Sequence, residues 1–459
     1  MITSQLRKLF AIEEIEHSDT LRWCYYAIIA GFLISLPGWF STYAGTLGSG
    51  VICPEYVRGC RGLMPPSPET SLLMPSLYVL VFGCLAYSVF SFVQRRYLRA
   101  QLALLPPFVF KFIMVFLLVG SFSVPFETFH LVPCFVFLFL SRKLSNLRVI
   151  FILLYVAAGL VKIHEGWLTG SFFESLIQGL PLVPKAVTPF ATNTVIFMEL
   201  VGVWFLAGSS RSLHRLVFGF FIFFHVYSVY LVGFRYPVHC LPLLIALFSN
   251  QDRRDLRLSR GGWATITFLA FVNLLPRMIP GDEKLSFEGQ ALAMNMFDAN
   301  RQTLSQLEIY KGDQVQVTEV NSSLGWDRIS PYKIWSDIQR ICTTENPTRI
   351  AWSHRVSLNG SAFYQVVDEP NACALKFLSF RHNDWIHTDR ATAVFPSLNR
   401  YVSTSNPRPT LQTSQVSMSA AHNALVKVER SLANFYLALA SVALLVVVFR
   451  TRFFRLAFR

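Results

Sequence analysis

Apolar runs recur along the whole chain, at 21–40, 76–93, 104–122, 127–140, 147–164, 192–208, 213–232, 238–250, 262–277 and 432–449. Runs of about 17–25 apolar residues match the hydrocarbon thickness of a bilayer, where a backbone must satisfy its own polar groups as helix or closed barrel. Each run is therefore read as a helix, with the short 127–140 and 238–250 as broken or re-entrant segments. A 53% hydrophobic content with 42 phenylalanines exceeds what a soluble core of this length needs. The expected fold class is a polytopic α-helical membrane protein of about ten helices, with an exoplasmic α+β domain before the last helix.

The net charge of +14 is explained by topology rather than by a nucleic-acid partner, because the basic residues stand in short clusters between apolar runs. Arg95, Arg96 and Arg99 form one cluster, and Arg142, Lys143 and Arg148 a second. Arg211 with Arg215, and Arg253, Arg254, Arg257 and Arg260, form two more. The positive-inside rule places all of them in the cytoplasm, together with Arg7 and Lys8 at the start and Arg450, Arg452, Arg455 and Arg459 at the end. Both termini are then cytoplasmic, and the first apolar run acts as a signal anchor behind an amphipathic start. The membrane is the plasma (inner) membrane in a bacterial host and the endoplasmic reticulum in a eukaryotic one.

Four regions follow: an amphipathic segment 1–20, a transmembrane bundle 21–280, an exoplasmic α+β domain and linker 281–430, and a terminal helix with a basic tail 431–459. Alternation predicts strands at 306–320, 349–358 and 362–368, and a helix over 332–342. The linker is Ser403–Ser419, rich in Ser, Thr, Asn and Pro. Cys53 with Cys60, and Cys342 with Cys373, fall on the exoplasmic side as possible disulfides. Cys24, Cys84, Cys134 and Cys240 read as small buried hydrophobes. Asn321 and Asn359 open glycosylation sequons that matter only in a secretory pathway.

Ionisable groups at membrane depth are costly and mark sites. Lys162 ends an apolar run, and an amine desolvated there can serve as a neutral base; snorkelling to the interface beside Trp167 is the structural alternative. Glu127, His130, His164, Arg235 and His239 fall near the exoplasmic ends of their segments, with Glu199 and His225 deeper, which favours one pocket opening outward. Each histidine alone also reads as a hydrogen-bonded core residue. No His-Glu-x-x-His or paired Cys-x-x-Cys pattern is present, so no metal is expected, although His225 and His239 can in principle converge. Gly-rich phosphate loops and Gly-x-Ser-x-Gly elbows are absent too.

The stretch Ala158-Gly-Leu-Val-Lys-Ile-His-Glu-Gly-Trp-Leu-Thr-Gly170 resembles the Ala-Gly-x-x-Lys…Trp-x-x-Gly core of the vitamin K-dependent γ-glutamyl carboxylases and related HTTM (horizontally transferred transmembrane) proteins. Phe224-His225 with the Tyr-rich run to Gly233 resembles that family's later Phe-His helix, and Phe129-His130 its earlier histidine-bearing helix. Met294–Arg301, Trp335–Cys342 and Ile350–Phe363 follow the order of its lumenal segments, so the resemblance spans roughly 20–370.

The resemblance implies a reaction in which a lysine, here Lys162, deprotonates reduced vitamin K or another quinol so that dioxygen adds to it. The oxygenated quinone takes a γ-proton from a glutamyl peptide, and carbon dioxide traps the carbanion. His225 and His130 would then hydrogen-bond the quinone oxygens, with Trp167, Gly170, Glu199, His164, His239 and Arg235 lining the pocket. The implied partners are the lipid bilayer, a lipophilic quinol and a secreted glutamate-containing peptide. Animal carboxylases carry a second lysine where this chain has Val161, and a longer lumenal region. Two other readings fit the same residues: a quinone-linked oxidoreductase that only epoxidises, and a non-catalytic partner in peptide export or maturation.

Overall fold

The computed structural model describes residues 2–49, 70–118, 125–175, 179–232, 234–250, 256–290, 293–295, 297–321, 330–361, 363–378, 381–388 and 419–457. Two short helices, α1 (Ile2–Leu9) and α2 (Ile12–Glu16), precede the long α3 (Asp19–Ser49) and α4 (Thr70–Val93). Then come α5 (Tyr97–Leu118), α6 (Pro125–Phe139), α7 (Lys143–Val161) and the single turns α8 (Glu165–Thr169) and α9 (Ser171–Glu174). They are followed by α10 (Thr188–Leu200), α11 (Arg211–Val232), α12 (Arg235–Phe248), α13 (Arg260–Met278) and α14 (Glu283–Ser286). Strands β1 (Arg301–Lys311) and β2 (Gln314–Asn321), helix α15 (Pro331–Thr344), strands β3 (Arg349–Leu358) and β4 (Phe363–Glu369), and helix α16 (Ser419–Ala457) complete the order.

Five helical stretches among the described residues are long and apolar enough to cross a membrane: Asp19–Pro37, Ser76–Val93, Lys143–Val161, Arg211–Leu231 and Ala424–Val447. The other five apolar runs also lie wholly or partly on helices, outside that set. Glu127–Phe139 and Tyr236–Phe248 are helical but short; at 1.5 Å per residue, α6 reaches about 22 Å against a hydrocarbon core of about 30 Å. The run 192–208 breaks at Val201 into α10 and a 3-10 turn over Gly202–Ala207. The runs 104–122 and 262–277 lie on α5 and α13, the last residues of the former beyond what is described.

Contacts group the chain into two compact units, one of Met1–Ala158, Met198–Phe271 and Leu437–Arg459, the other of Gly159–Phe197 and Val272–Tyr436. In the first, Tyr25 of α3 stacks on Phe92 of α4 at 3.6 Å, and its hydroxyl shares a 2.7 Å hydrogen bond with Ser88. Ser88 donates on to the Ala100 carbonyl. Glu14 of α2 accepts from the backbone N–H groups of Arg142 (2.7 Å) and Lys143 (2.6 Å), capping the otherwise unsatisfied start of α7.

The second unit contains an antiparallel sheet of order β2-β1-β3-β4. Residues 306–320, read from sequence as one strand, are a hairpin: Gly312 takes φ +59° beside Asp313, and Lys311 pairs with Gln314. Such a two-residue turn requires left-handed backbone, which glycine adopts without strain. β3 matches its sequence reading, and β4 begins at Phe363. Leu307, Ile309, Ile338, Ile350, Trp352 and Val366 form the core beneath α15. Cys342 and Cys373 are disulfide-bonded, with Cα atoms 5.9 Å apart. Cys53 and Cys60 lie outside the described residues; Cys24, Cys84, Cys134 and Cys240 are not disulfide-bonded, and all are buried except Cys84, which is half-buried.

Candidate functional site

Lys162 stands where α7 ends. Its N–H reaches Gly159 O, and His164 N–H turns back onto Lys162 O, so the chain folds tightly before α8 begins. Arg277 donates to Leu160 O at 2.6 Å, satisfying one of the last carbonyls of α7. The Lys162 side chain is fully buried, with Nζ over the Trp167 ring at 5.5 Å and over the Phe297 ring at 5.8 Å. Phe172 and Phe173 extend this aromatic wall, with centroids 6.0 and 5.2 Å from Trp167.

The motif's glycines serve the backbone. Gly170 takes φ +83° between α8 and α9, and a Cβ there would meet Thr188 Cγ2 at 3.0 Å. At Gly166 a Cβ would fall 2.4 Å from Asn359 Nδ2, so the second sequon asparagine is packed onto the lysine turn. Asn359 also accepts from the Asn300 N–H through Oδ1. His164 Nε2 is 3.0 Å from Phe297 O, a carbonyl that only accepts, so this nitrogen carries the hydrogen and Nδ1 presents a lone pair. That Nδ1 and Trp167 Nε1 are buried with no hydrogen-bond partner among the described residues. The start of α8 is held by Glu429, which accepts from Glu165 N–H at 2.8 Å and pairs with Lys284 at 2.5 Å. Burial opposes the charge of Lys284, but Asp282 and Glu429 outweigh it and raise its pKa above the usual lysine range.

In the first unit a second polar cluster joins α5, α6 and α12. Glu127 and His130 stand one turn apart on α6, His239 comes from α12, and Lys111 from α5. Lys111 Nζ is 2.5 Å from Glu127 Oε2, 2.7 Å from His130 Nδ1 and 3.3 Å from His239 Nε2. His130 Nε2 is 2.8 Å from Ile28 O, so both of its nitrogens are engaged within the protein. Gly31 makes room for this ring: a Cβ there would sit 2.2 Å from His130 Cδ2. Lys111 was not among the residues singled out from sequence; its one signal was a charge inside the run Val109-Phe-Lys-Phe-Ile.

A third cluster in the same unit pairs Tyr155 Oη with His225 Nε2 at 2.5 Å, with the Tyr236 ring 5.2 Å from that of His225. Glu199, fully buried, acts electrostatically on both phenols. Lys162, His164, Trp167 and Gly170 thus belong to one unit, and His130, Glu199, His225 and His239 to the other. Arg235 opens α12, its side chain outside what is described. No family model, curated protein or solved structure matches the chain.

Proposed function

We propose that this chain is an integral membrane enzyme of the vitamin K-dependent carboxylase type, using Lys162 as the base toward a lipid-soluble quinol and carboxylating glutamate in exoplasmic peptides. The observation that carries this reading is the seat of Lys162: a fully buried amine at the end of an apolar helix, facing the rings of Trp167 and Phe297. Burial penalises an ammonium, and ring faces attract one. A quinol also suits two buried polar atoms of the same motif. Trp167 Nε1 offers a donor and His164 Nδ1 an acceptor, matching a hydroxyl that can both accept and donate.

In this reading the quinol supplies the reducing equivalents and, once oxygenated, the strong base that removes a glutamyl γ-proton. Lys162 takes the phenolic proton and becomes an ammonium held against the two rings. The aromatic wall of Trp167, Phe172 and Phe173 excludes the water that would quench a carbanion. The five long apolar helices suit a substrate that partitions into lipid. The test is purified full-length chain in detergent with reduced vitamin K, oxygen, bicarbonate and a glutamyl peptide, both products read by mass spectrometry. Epoxide and carboxylated peptide, both lost in Lys162→Ala, are expected. Epoxide alone would reduce the function to quinol oxygenation, and undiminished product in Lys162→Ala would remove the lysine's role.

A further inference from the structure

Lys111 is enclosed by acceptors drawn from two other helices. Its ammonium has three N–H bonds, and three acceptor atoms stand around it: Glu127 Oε2 at 2.5 Å, His130 Nδ1 at 2.7 Å and His239 Nε2 at 3.3 Å. The tautomer of His130 is fixed from behind, because Nε2 donates to Ile28 O and leaves Nδ1 as a lone pair aimed at the amine. Glu127, His130 and His239 are all buried, and their ligating atoms lie within 4.8 Å of one another. Two imidazoles and one carboxylate are the donor set of a borderline divalent transition metal. In a tetrahedral site their atoms would stand about 3.4 Å apart, a modest rotamer adjustment from their present positions.

We propose that Glu127, His130 and His239 form a cation seat whose resident cation is the ammonium of Lys111, and that the seat takes a divalent transition metal such as Zn2+ or Co2+ once that amine is removed. With Lys111 charged, Glu127 ionised and both histidines neutral, the cluster sums to zero net charge. A cation tethered to its own chain needs no loading, does not exchange and does not change oxidation state. The ammonium is thus a built-in counter-charge to Glu127 inside the first unit. Removing the amine leaves a buried carboxylate without it, which strongly favours another cation. This inference does not depend on the role proposed for Lys162.

The test is cobalt titration of the purified full-length chain in detergent, following the visible d–d absorption, with zinc content measured in parallel. Wild type is expected to show no such band, and Lys111→Met one equivalent of bound cobalt, lost when His239→Ala is added. A band of the same intensity and His239 dependence in wild type would overturn the proposal. So would a folded Lys111→Met chain that binds no cobalt. Lys111→Gln serves if the methionine variant does not fold; if neither folds, rescue of folding by zinc supports the seat, and no rescue counts against it.

Discussion

At the scale of single residues, Lys111 and Lys162 are two of the four buried lysines among the described residues. Lys162 lies against the rings of Trp167 and Phe297, and Lys111 is bonded to a carboxylate and two imidazoles. Removing one partner of a buried ion pair typically costs about 3–5 kcal/mol, because the other charge stays behind uncompensated. Lys111→Met is therefore expected to destabilise the chain by about that amount in metal-free buffer. Adding Glu127→Gln should recover a large part of it, so thermal unfolding of the two single variants and the double variant forms a cycle. Purely additive effects would show that the pair is not coupled. The lysine at 162 was legible in the sequence because it sits in a motif with glycines and a tryptophan. Lys111 was not, since one lysine in an apolar run looks the same whether it faces lipid or a neighbouring helix. Its partners His130 and His239 lie 19 and 128 residues away.

At the scale of elements, close approaches set what each helix tolerates. Gly31→Ala puts a methyl into the His130 ring, and overpacking of this kind costs about 1–3 kcal/mol. Gly83→Ala on α4 meets nothing within 4 Å, so relief of the glycine's helix penalty should leave stability unchanged or higher by up to about 1 kcal/mol. Equal unfolding temperatures for the two variants would show that His130 does not need the space. In the sheet, His354 of β3 bonds Ser305 of β1 and is fully buried, and burial pushes its pKa down to about 3 from 6.5. A base depressed in the folded state contributes its full stability above its unfolded pKa and loses it as pH falls. Going from pH 7 to pH 5 should cost about 2 kcal/mol, visible as a lower unfolding temperature that His354→Leu makes less pH-dependent. An unchanged slope in that variant would assign the acid sensitivity elsewhere. Strand β3 was readable because its apolar positions alternate against the core; the β1–β2 hairpin was missed although Gly312-Asp313 is a turn signal, because Leu307 and Ile309 before it and Val315 and Val317 after it stay in phase.

At the scale of the whole molecule, the sequence pattern of apolar runs separated by basic clusters anticipated a mostly helical chain with a small sheet near its C-terminal part. The ten apolar runs all lie wholly or partly on helices, five of which are long and apolar enough to cross a membrane among the described residues, and the runs 127–140 and 238–250 are the short ones that their length in the sequence indicates. The pattern did not show that Gly159–Phe197, which carries the lysine motif, packs with the sheet-bearing residues Val272–Tyr436. That grouping comes from contacts such as Gly166 on Asn359 and Glu165 on Glu429, between residues far apart in the chain. The central claim is that Lys162 is the base for a quinol. Oxygen uptake by the purified full-length chain on addition of reduced vitamin K tests it most directly, with Lys162→Ala measured beside wild type at matched unfolding temperature. The account predicts uptake in wild type that exceeds spontaneous quinol oxidation and falls to that background in Lys162→Ala; equal uptake by both folded proteins would contradict it.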